Sequence, residues 1–245
     1  MKLPNIRFGG INLGSKSKSR TATEPVGHIL TDKTPFSVQE AYKQLRTNVL
    51  FSLPGNECKV IGVTSATPGD GKSTNAINLA ISLAQIGKKV LLVDCDLRLP
   101  TISSKLRIPG TPGLSDFVVG QARIEDVIWK VERFGFNVMP AGNIPPDATG
   151  LLEAKQIEPL FTAFRKIYDF VIVDLPPVNT VADATILSKY IDGYLLVVRQ
   201  KQTRHRAVAE MLKQLRIVDA KILGFVSTGS GVEGKKGNYY YKYGR

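Results

Sequence analysis

Short apolar runs recur along the chain, and between them apolar residues return every three or four positions. The runs predict strands at 60–64 (VIGVT), 90–94 (VLLVD), 136–140 (FNVMP), 170–174 (FVIVD), 194–198 (YLLVV) and 222–226 (ILGFV). The intervening stretches predict helices over 72–86, 124–131, 150–167, 182–190 and 203–217. An earlier helix is predicted from Ser37, where Val38, Tyr42, Leu45, Val49 and Phe51 lie at near-helical spacing; PGN at 54–56 ends it. Near-continuous apolar strands alternating with helices imply an α/β fold, with a mostly parallel central sheet flanked by helices on both faces. Ligands of such sheets sit at the carboxyl ends of the strands.

Periodicity fails at both ends. Residues 1–35 read as a flexible lead-in whose first 23 positions carry Lys2, Arg7, Lys16, Lys18 and Arg20 without an acid. The domain then spans 36–228, and 229–245 (GSGVEGKKGNYYYKYGR) has too little apolar content to pack a core and reads as a disordered, tyrosine-rich tail. With 43% hydrophobic residues among 245, the middle can bury a sizeable core. Cys58 and Cys95 give no disulfide framework, and Cys95 reads as a small buried apolar residue, so the chain is expected in a reduced, cytoplasmic setting. No apolar run approaches the ~18 residues of a membrane span, and the start lacks a signal-peptide core.

A net charge of +12 points to acidic partners: nucleotide, nucleic acid, an anionic membrane or an acidic peptide. The cluster Lys201, Arg204, His205 and Arg206 reads as a solvated face, so no nucleic-acid partner is expected. His28 and His205 are too isolated to ligate metal.

The first predicted strand runs into SATPGDGKST. Ala66 to Ser73 has P-loop spacing, with Ala66 where the first glycine usually stands. Pro68, Gly69, Asp70, Gly71, Lys72, Ser73 and Thr74 form the expected nucleotide-binding segment. The glycines let backbone N–H groups face phosphate oxygens, and Lys72 supplies a point charge. The Ser73 hydroxyl can bind Mg²⁺. A strand before this segment and a helix after it make nucleotide binding a strong expectation.

Two further strands end in carboxylates, Asp94 and Asp96 (VLLVDCDLR) and Asp174 (FVIVDLPP). Uncompensated acids at the ends of buried strands are costly, and Mg²⁺ held by one or two carboxylates plus phosphate oxygens compensates them. Alternation along an extended segment would set Asp94 and Asp96 side by side, with Cys95 turned to the core. One acid could then serve the metal while the other accepts a proton from an incoming hydroxyl.

An apolar run ending in D-x-D-x-R, between a P-loop and an apolar run ending in D-x-P, resembles the Walker A, A′ and B set of the bacterial tyrosine kinases (BY-kinases) of capsular and exopolysaccharide synthesis. The resemblance extends from about Ser37 to the C-terminus and includes GLSDF (113–117), PAGNIPPD (140–147) and the tyrosine-rich tail. It implies a P-loop fold of the deviant-Walker type found in MinD and ParA. It also implies ATP and Mg²⁺ as cofactors, with Asp94 as base and with Ser73, Asp96 and Asp174 at the metal. Lys72, Asp94, Asp96 and Asp174 are thereby the implied catalytic set, and Tyr239, Tyr240, Tyr241 and Tyr243 the phosphoacceptors, modified in trans.

Other expectations come from the same resemblance. They are a membrane-embedded activator acting through its cytoplasmic tail, a cognate tyrosine phosphatase, and a peripheral place at the inner face of the membrane. A homo-oligomeric ring would form through an E-x-x-R-x-x-R helix, which here reads Glu40, Lys43, Arg46. Lys43 keeps the charge of the middle arginine but not its bidentate geometry. The family's more usual PPNP-x-E-L-L is PPDATGLL here (145–152).

The competing class is the ParA and MinD switch ATPases. Their P-loops carry a lysine where this chain has Thr67, and they lack a tyrosine tail. A metal-cluster scaffold of the same superfamily would need paired cysteines near the dimer axis, and Cys58 and Cys95 do not form a C-x-x-C. Kinases of the eukaryotic type are excluded, because HRD, DFG and VAIK are absent.

Overall fold

A computed structural model describes residues 28–229. Seven strands form one sheet: β1 (Lys59–Ser65), β2 (Val90–Asp94), β3 (Trp129–Val131), β4 (Phe136–Met139), β5 (Phe170–Asp174), β6 (Gly193–Arg199) and β7 (Ile222–Thr228). Their order is β3-β4-β2-β5-β1-β6-β7, and every pair is parallel except β3 with β4. The predicted α/β class and all six predicted strands are found.

Strand alternation divides the core in two. Leu91, Val93, Val171 and Val173 face a cluster completed by Leu152, Phe161, Phe164, Met211 and Leu215. Val90, Leu92, Ile172 and Val197 face the other, completed by Val49, Ile77 and Leu83. Helices therefore cover both faces, so the strands read as unbroken apolar runs rather than alternating ones. Burying each of these large aliphatic side chains contributes about 1.5–3 kcal/mol.

The covering helices are α1 (Phe36–Ser52), α2 (Lys72–Ala84), α6 (Ala148–Leu152), α7 (Ile157–Ile167) and α9 (His205–Ile217). Short helices α3 (Ile102–Leu106), α4 (Leu114–Val118), α5 (Ile124–Val127) and α8 (Asp183–Ile186) lie between strands, and a 3₁₀ turn over Leu187–Tyr190 follows α8.

Three expectations need correction. The helix predicted over 124–131 stops at Val127, and Trp129–Val131 becomes an edge strand opposite Val138, Asn137 and Phe136. Ile124, Val127, Ile128 and Val131 fit helical spacing, but β-branched and aromatic residues beside an open strand edge gain more from pairing. The helix predicted over 150–167 is two helices. Asp147 caps α6 by accepting from the Gly150 N–H (2.9 Å), and the chain turns over 153–156 before α7 begins.

The structured part also begins before residue 36. Ile29 and Leu30 are buried; the Leu30 N–H donates to Asn78 Oδ1 and Asn78 Nδ2 donates to the His28 carbonyl, each at 2.9 Å. The basic segment 1–27 and the tail from 230, with its four tyrosines, lie outside the described residues.

Candidate active site

The loop between β1 and α2 has its predicted P-loop form. Gly69 (φ 85°) and Gly71 (φ 99°) take left-handed conformations that side-chain-bearing residues rarely adopt, and α2 starts directly at Lys72. Asp70 is almost wholly buried, and its carboxylate is occupied by protein donors. Thr67 donates to Oδ2 from its N–H (3.2 Å) and hydroxyl (3.0 Å), and the Thr203 hydroxyl donates to Oδ1 (2.7 Å). The Thr228 hydroxyl donates to the Asp70 carbonyl (2.8 Å), and Arg199 donates to the Gly69 carbonyl (3.2 Å). Thus the loop after β6 and the carboxyl end of β7 both fasten the P-loop. The motif alone does not reveal Thr203, Thr228 or Arg199, because their contacts depend on which strand ends become neighbours.

The three predicted carboxylates converge on Lys72. Asp94 and Asp174 are register partners on the adjacent strands β2 and β5, and both are fully buried. Lys72 Nζ lies 2.7 Å from Asp96 Oδ2, 3.7 Å from Asp174 Oδ1 and 3.4 Å from Ser73 Oγ. The alternation argument needs amendment here. The chain turns after Asp94, whose Oδ1 accepts from the Asp96 N–H and whose Oδ2 accepts from the Ile102 N–H, both at 3.2 Å. Asp96 accepts in turn from the Leu99 N–H (3.1 Å). Asp96 therefore stands forward on the lysine, and Asp94 lies deeper. Cys95 is buried, as expected.

Electrostatics follow from this crowding. Burial raises the Asp94 carboxyl well above the ordinary range, and the neighbouring Asp174 charge raises it further, against lowering by Lys72. Burial also raises Asp174, again opposed by Lys72. Burial alone would lower Lys72, but Asp174 and Asp96 outweigh it and hold the ammonium firmly charged. One cation does not balance three acids. Both Asp174 oxygens are buried without a hydrogen-bond partner, so they retain lone pairs for a ligand beside the Ser73 hydroxyl. Among the described residues no group of three or more His, Cys, Asp or Glu side chains forms a metal cage. A protein-only cage is not what Mg²⁺ with nucleotide requires, since phosphate oxygens and waters complete its octahedron. The donors present fit that ion.

A cavity of about 1730 Å³ opens at this end of the sheet, lined by the P-loop, Asp96, Arg98, Pro176, Tyr42 and the segment from His28 to Pro35. Arg98, the last residue of the D-x-D-x-R run, is tethered: its Nε lies 3.3 Å from Asp183 Oδ2 and its NH2 donates to the Thr149 hydroxyl (2.7 Å). That hydroxyl donates to Asp183 Oδ1 (2.8 Å). Asp183 is fully buried. In the sequence it reads as an ordinary acid at a helix start, and only the fold shows it holding an arginine.

GLSDF and PAGNIPPD form one brace. Asp116 accepts from Asn143 Nδ2 (2.6 Å) and the Gly113 N–H (2.8 Å), and the Ser115 hydroxyl donates to the Asn143 carbonyl (2.6 Å). Any Cβ on Gly113 would collide with the Pro140 carbonyl and the Gly142 nitrogen. On α1, Lys43 pairs with Glu40 (2.7 Å), whereas Arg46 donates to the Ser82 carbonyl at the end of α2 (2.7 Å). Arg46 thus holds two helices of its own chain together.

Residues 58–224 match the AAA domain family. The chain is 37% identical over 211 residues to the tyrosine-protein kinase YwqD of Bacillus subtilis, covering 83% of this chain and 89% of that protein. The kinase domain of Escherichia coli tyrosine kinase ETK superposes with a TM-score of 0.82 at 30% identity, covering 92% of this chain and 88% of that one. The cell division ATPase MinD of Pyrococcus furiosus shares the fold more distantly, with a TM-score of 0.60 at 27% identity over 71% of this chain and 73% of that one. With a P-loop, three convergent carboxylates and relatives of this similarity, the chain belongs to the bacterial tyrosine kinases, ATP-dependent enzymes on a MinD-like P-loop fold.

Proposed function

We propose that this kinase transfers the γ-phosphoryl group of ATP to Tyr239, Tyr240, Tyr241 and Tyr243 of a neighbouring copy, and that this regulates capsular or exopolysaccharide synthesis and export. One observation carries the reading: Lys72, Ser73, Asp94, Asp96 and Asp174 meet at the carboxyl ends of β2 and β5, while β7 ends on the P-loop itself.

The backbone N–H groups of 69–74 and the Lys72 ammonium bind the phosphates and neutralise charge that develops on them. Ser73, Asp96 and Asp174 would hold Mg²⁺, which would supply Lewis-acid charge to the nucleotide phosphates. Asp94 is the base in this reading; it must turn outward from its buried place behind Asp96 to reach the phenol and accept its proton. The phenol oxygen forms the new bond to the γ-phosphorus, the bond to the β-phosphate bridging oxygen breaks, and its electron pair leaves with ADP. The raised affinity of Asp94 for protons suits a base that must take one near neutral pH. Arg98, fixed by Asp183 and Thr149, keeps the segment after Asp96 in place.

Several finer features belong to the same reading. A membrane-embedded activator presents its cytoplasmic tail to the cavity, copies assemble into a ring through the α1 face bearing Glu40 and Lys43, and a cognate phosphatase resets the tail. The kinase then works at the inner face of the membrane. Thr67 stands where MinD and ParA switches carry a lysine, and it is committed to Asp70 of its own loop. This counts against the switch alternative.

The test is incubation of pure protein with γ-labelled ATP, with and without a candidate activator tail, followed by mapping of the label. Label on the C-terminal tyrosines that disappears in Lys72→Met is the expected result. ATP hydrolysis without labelled tyrosine would sink the kinase reading.

A further inference from the structure

The loop joining β6 to α9 concentrates positive charge that nothing in the described structure balances. Arg199, Lys201, Arg204, His205 and Arg206 lie within eight consecutive positions, and no acid occurs between Arg199 and Ala209. All five are exposed. Among the described residues no ion pair joins any of them to a carboxylate, whereas Lys43, Lys72, Arg98, Arg123, Lys130 and Arg165 all have acid partners. Unpaired like charges held this close repel one another and are relieved by a polyanion. The loop is also firmly built: the Thr203 hydroxyl donates to Asp70, Arg199 donates to the Gly69 carbonyl, and the Arg199 N–H donates to the Thr203 hydroxyl (2.9 Å).

The point where the tail departs selects the anion. A Cβ at Gly229, the last described residue, would lie 3.0 Å from Arg199 Cγ and 3.4 Å from Arg199 Nε, so the tail leaves the domain against this loop. Tyr239 lies ten residues further on and Tyr243 fourteen. Ten extended residues span at most ~33 Å, ample for a return to a loop that begins at contact distance. The unmodified tail carries Lys235, Lys236, Lys242 and Arg245 against Glu233 and has no electrostatic reason to return. Each phosphotyrosine adds about −1.5 to −2 charges, and four bring the tail to roughly −3 to −5. Arginine clusters recognise such groups through charge-assisted, often bidentate, hydrogen bonds.

We propose that the basic loop from Arg199 to Arg206 is the docking site for the phosphorylated C-terminal tail of the same chain. This rests on the autokinase reading and extends it. The phosphorylated tail is retained beside the P-loop, outside the nucleotide site, and withdrawn from neighbouring copies.

A synthetic peptide of residues 229–245 with all four tyrosines phosphorylated tests the docking independently of any kinase activity. Its binding to the full-length Lys72→Met chain is followed by fluorescence anisotropy, beside that of the unphosphorylated peptide. The phosphopeptide binds, its Kd rises steeply with salt, and the double variant Arg204→Glu, Arg206→Glu on the same background weakens it about tenfold or more. Acids in the first turn of α9 suit the helix dipole, so this variant keeps its fold, as circular dichroism will verify. Equal phosphopeptide binding by the two chains, or equal binding of both peptides, overturns the proposal. So does a variant that loses affinity for anionic phosphatidylglycerol vesicles but not for the phosphopeptide, since the loop would then be a membrane-facing surface. Failure of γ-label to enter wild-type protein is a separate result that overturns the autokinase reading, whatever the peptide does.

Discussion

At the scale of single residues, the site is defined by an imbalance of charge. Asp94 and Asp174 face each other across two parallel strands, both fully buried, and Lys72 is the cation that answers them. Asp174→Asn removes one of the opposed charges, so the nucleotide-free protein should gain about 1–2 kcal/mol, in the manner of other destabilised functional sites. The stabilisation conferred by Mg²⁺ and ATP should vanish in the same variant. Thermal melts with and without Mg·ATP check both outcomes. pH acts in the same direction. Asp94 and Asp174 bind protons more tightly in the folded chain than in the unfolded one. Their favourable contribution is therefore full below the ordinary carboxylate pKa of about 4 and is lost as pH rises through their raised values. The nucleotide-free protein should melt higher at about pH 5.5 than at about pH 8, and saturating Mg·ATP should flatten the difference. These acids were legible in the sequence because each ends an apolar run. Asp183 was not, since its partner Arg98 lies 85 positions away and only the folded chain brings them together.

At the scale of elements, the strands were readable because burial on both faces leaves a continuous apolar signature, and the P-loop because its glycines are spaced by backbone geometry. Trp129–Val131 was not, since a three-residue strand is shorter than the period needed to tell it from a helix. The break between α6 and α7 was hidden for a related reason: the turn carries no proline or glycine to mark it. What no local pattern encodes is the fastening of the P-loop by the end of β6, the loop after it and the end of β7. Thr203→Val deletes the hydroxyl that bonds to Asp70, worth about 1 kcal/mol or more to a charged acceptor. The KM for ATP should rise roughly fivefold with a smaller change in kcat, and Thr203→Ser should restore it. Steady-state kinetics distinguish this from general unfolding, which would lower the active fraction without moving KM.

At the scale of the whole molecule, charge on the tail is proposed to govern assembly. A cationic tail is attracted to a site rich in carboxylate and nucleotide phosphate on a neighbouring copy, and phosphorylation reverses the attraction. A variant with Tyr239, Tyr240, Tyr241 and Tyr243 all changed to Phe should remain assembled after incubation with ATP, while the wild type dissociates. Light scattering after size-exclusion chromatography reads the difference, and a variant that releases like the phosphorylated protein would refute the mechanism. The tail's composition is plain in the sequence, but its point of departure is not. That point is fixed by the hydroxyl of Thr228 on the carbonyl of Asp70.

This attachment has a kinetic consequence. On the trans reading, copies in one assembly are each other's tethered substrates, and flexible tethers impose local concentrations in the millimolar range. Foreign tyrosine-bearing proteins must therefore compete with acceptors that a neighbouring copy holds at that concentration beside the nucleotide. The enzyme will exhaust its own acceptors before it serves others. Clipping the chain after Gly229 should turn a slow kinase of outside proteins into a faster one.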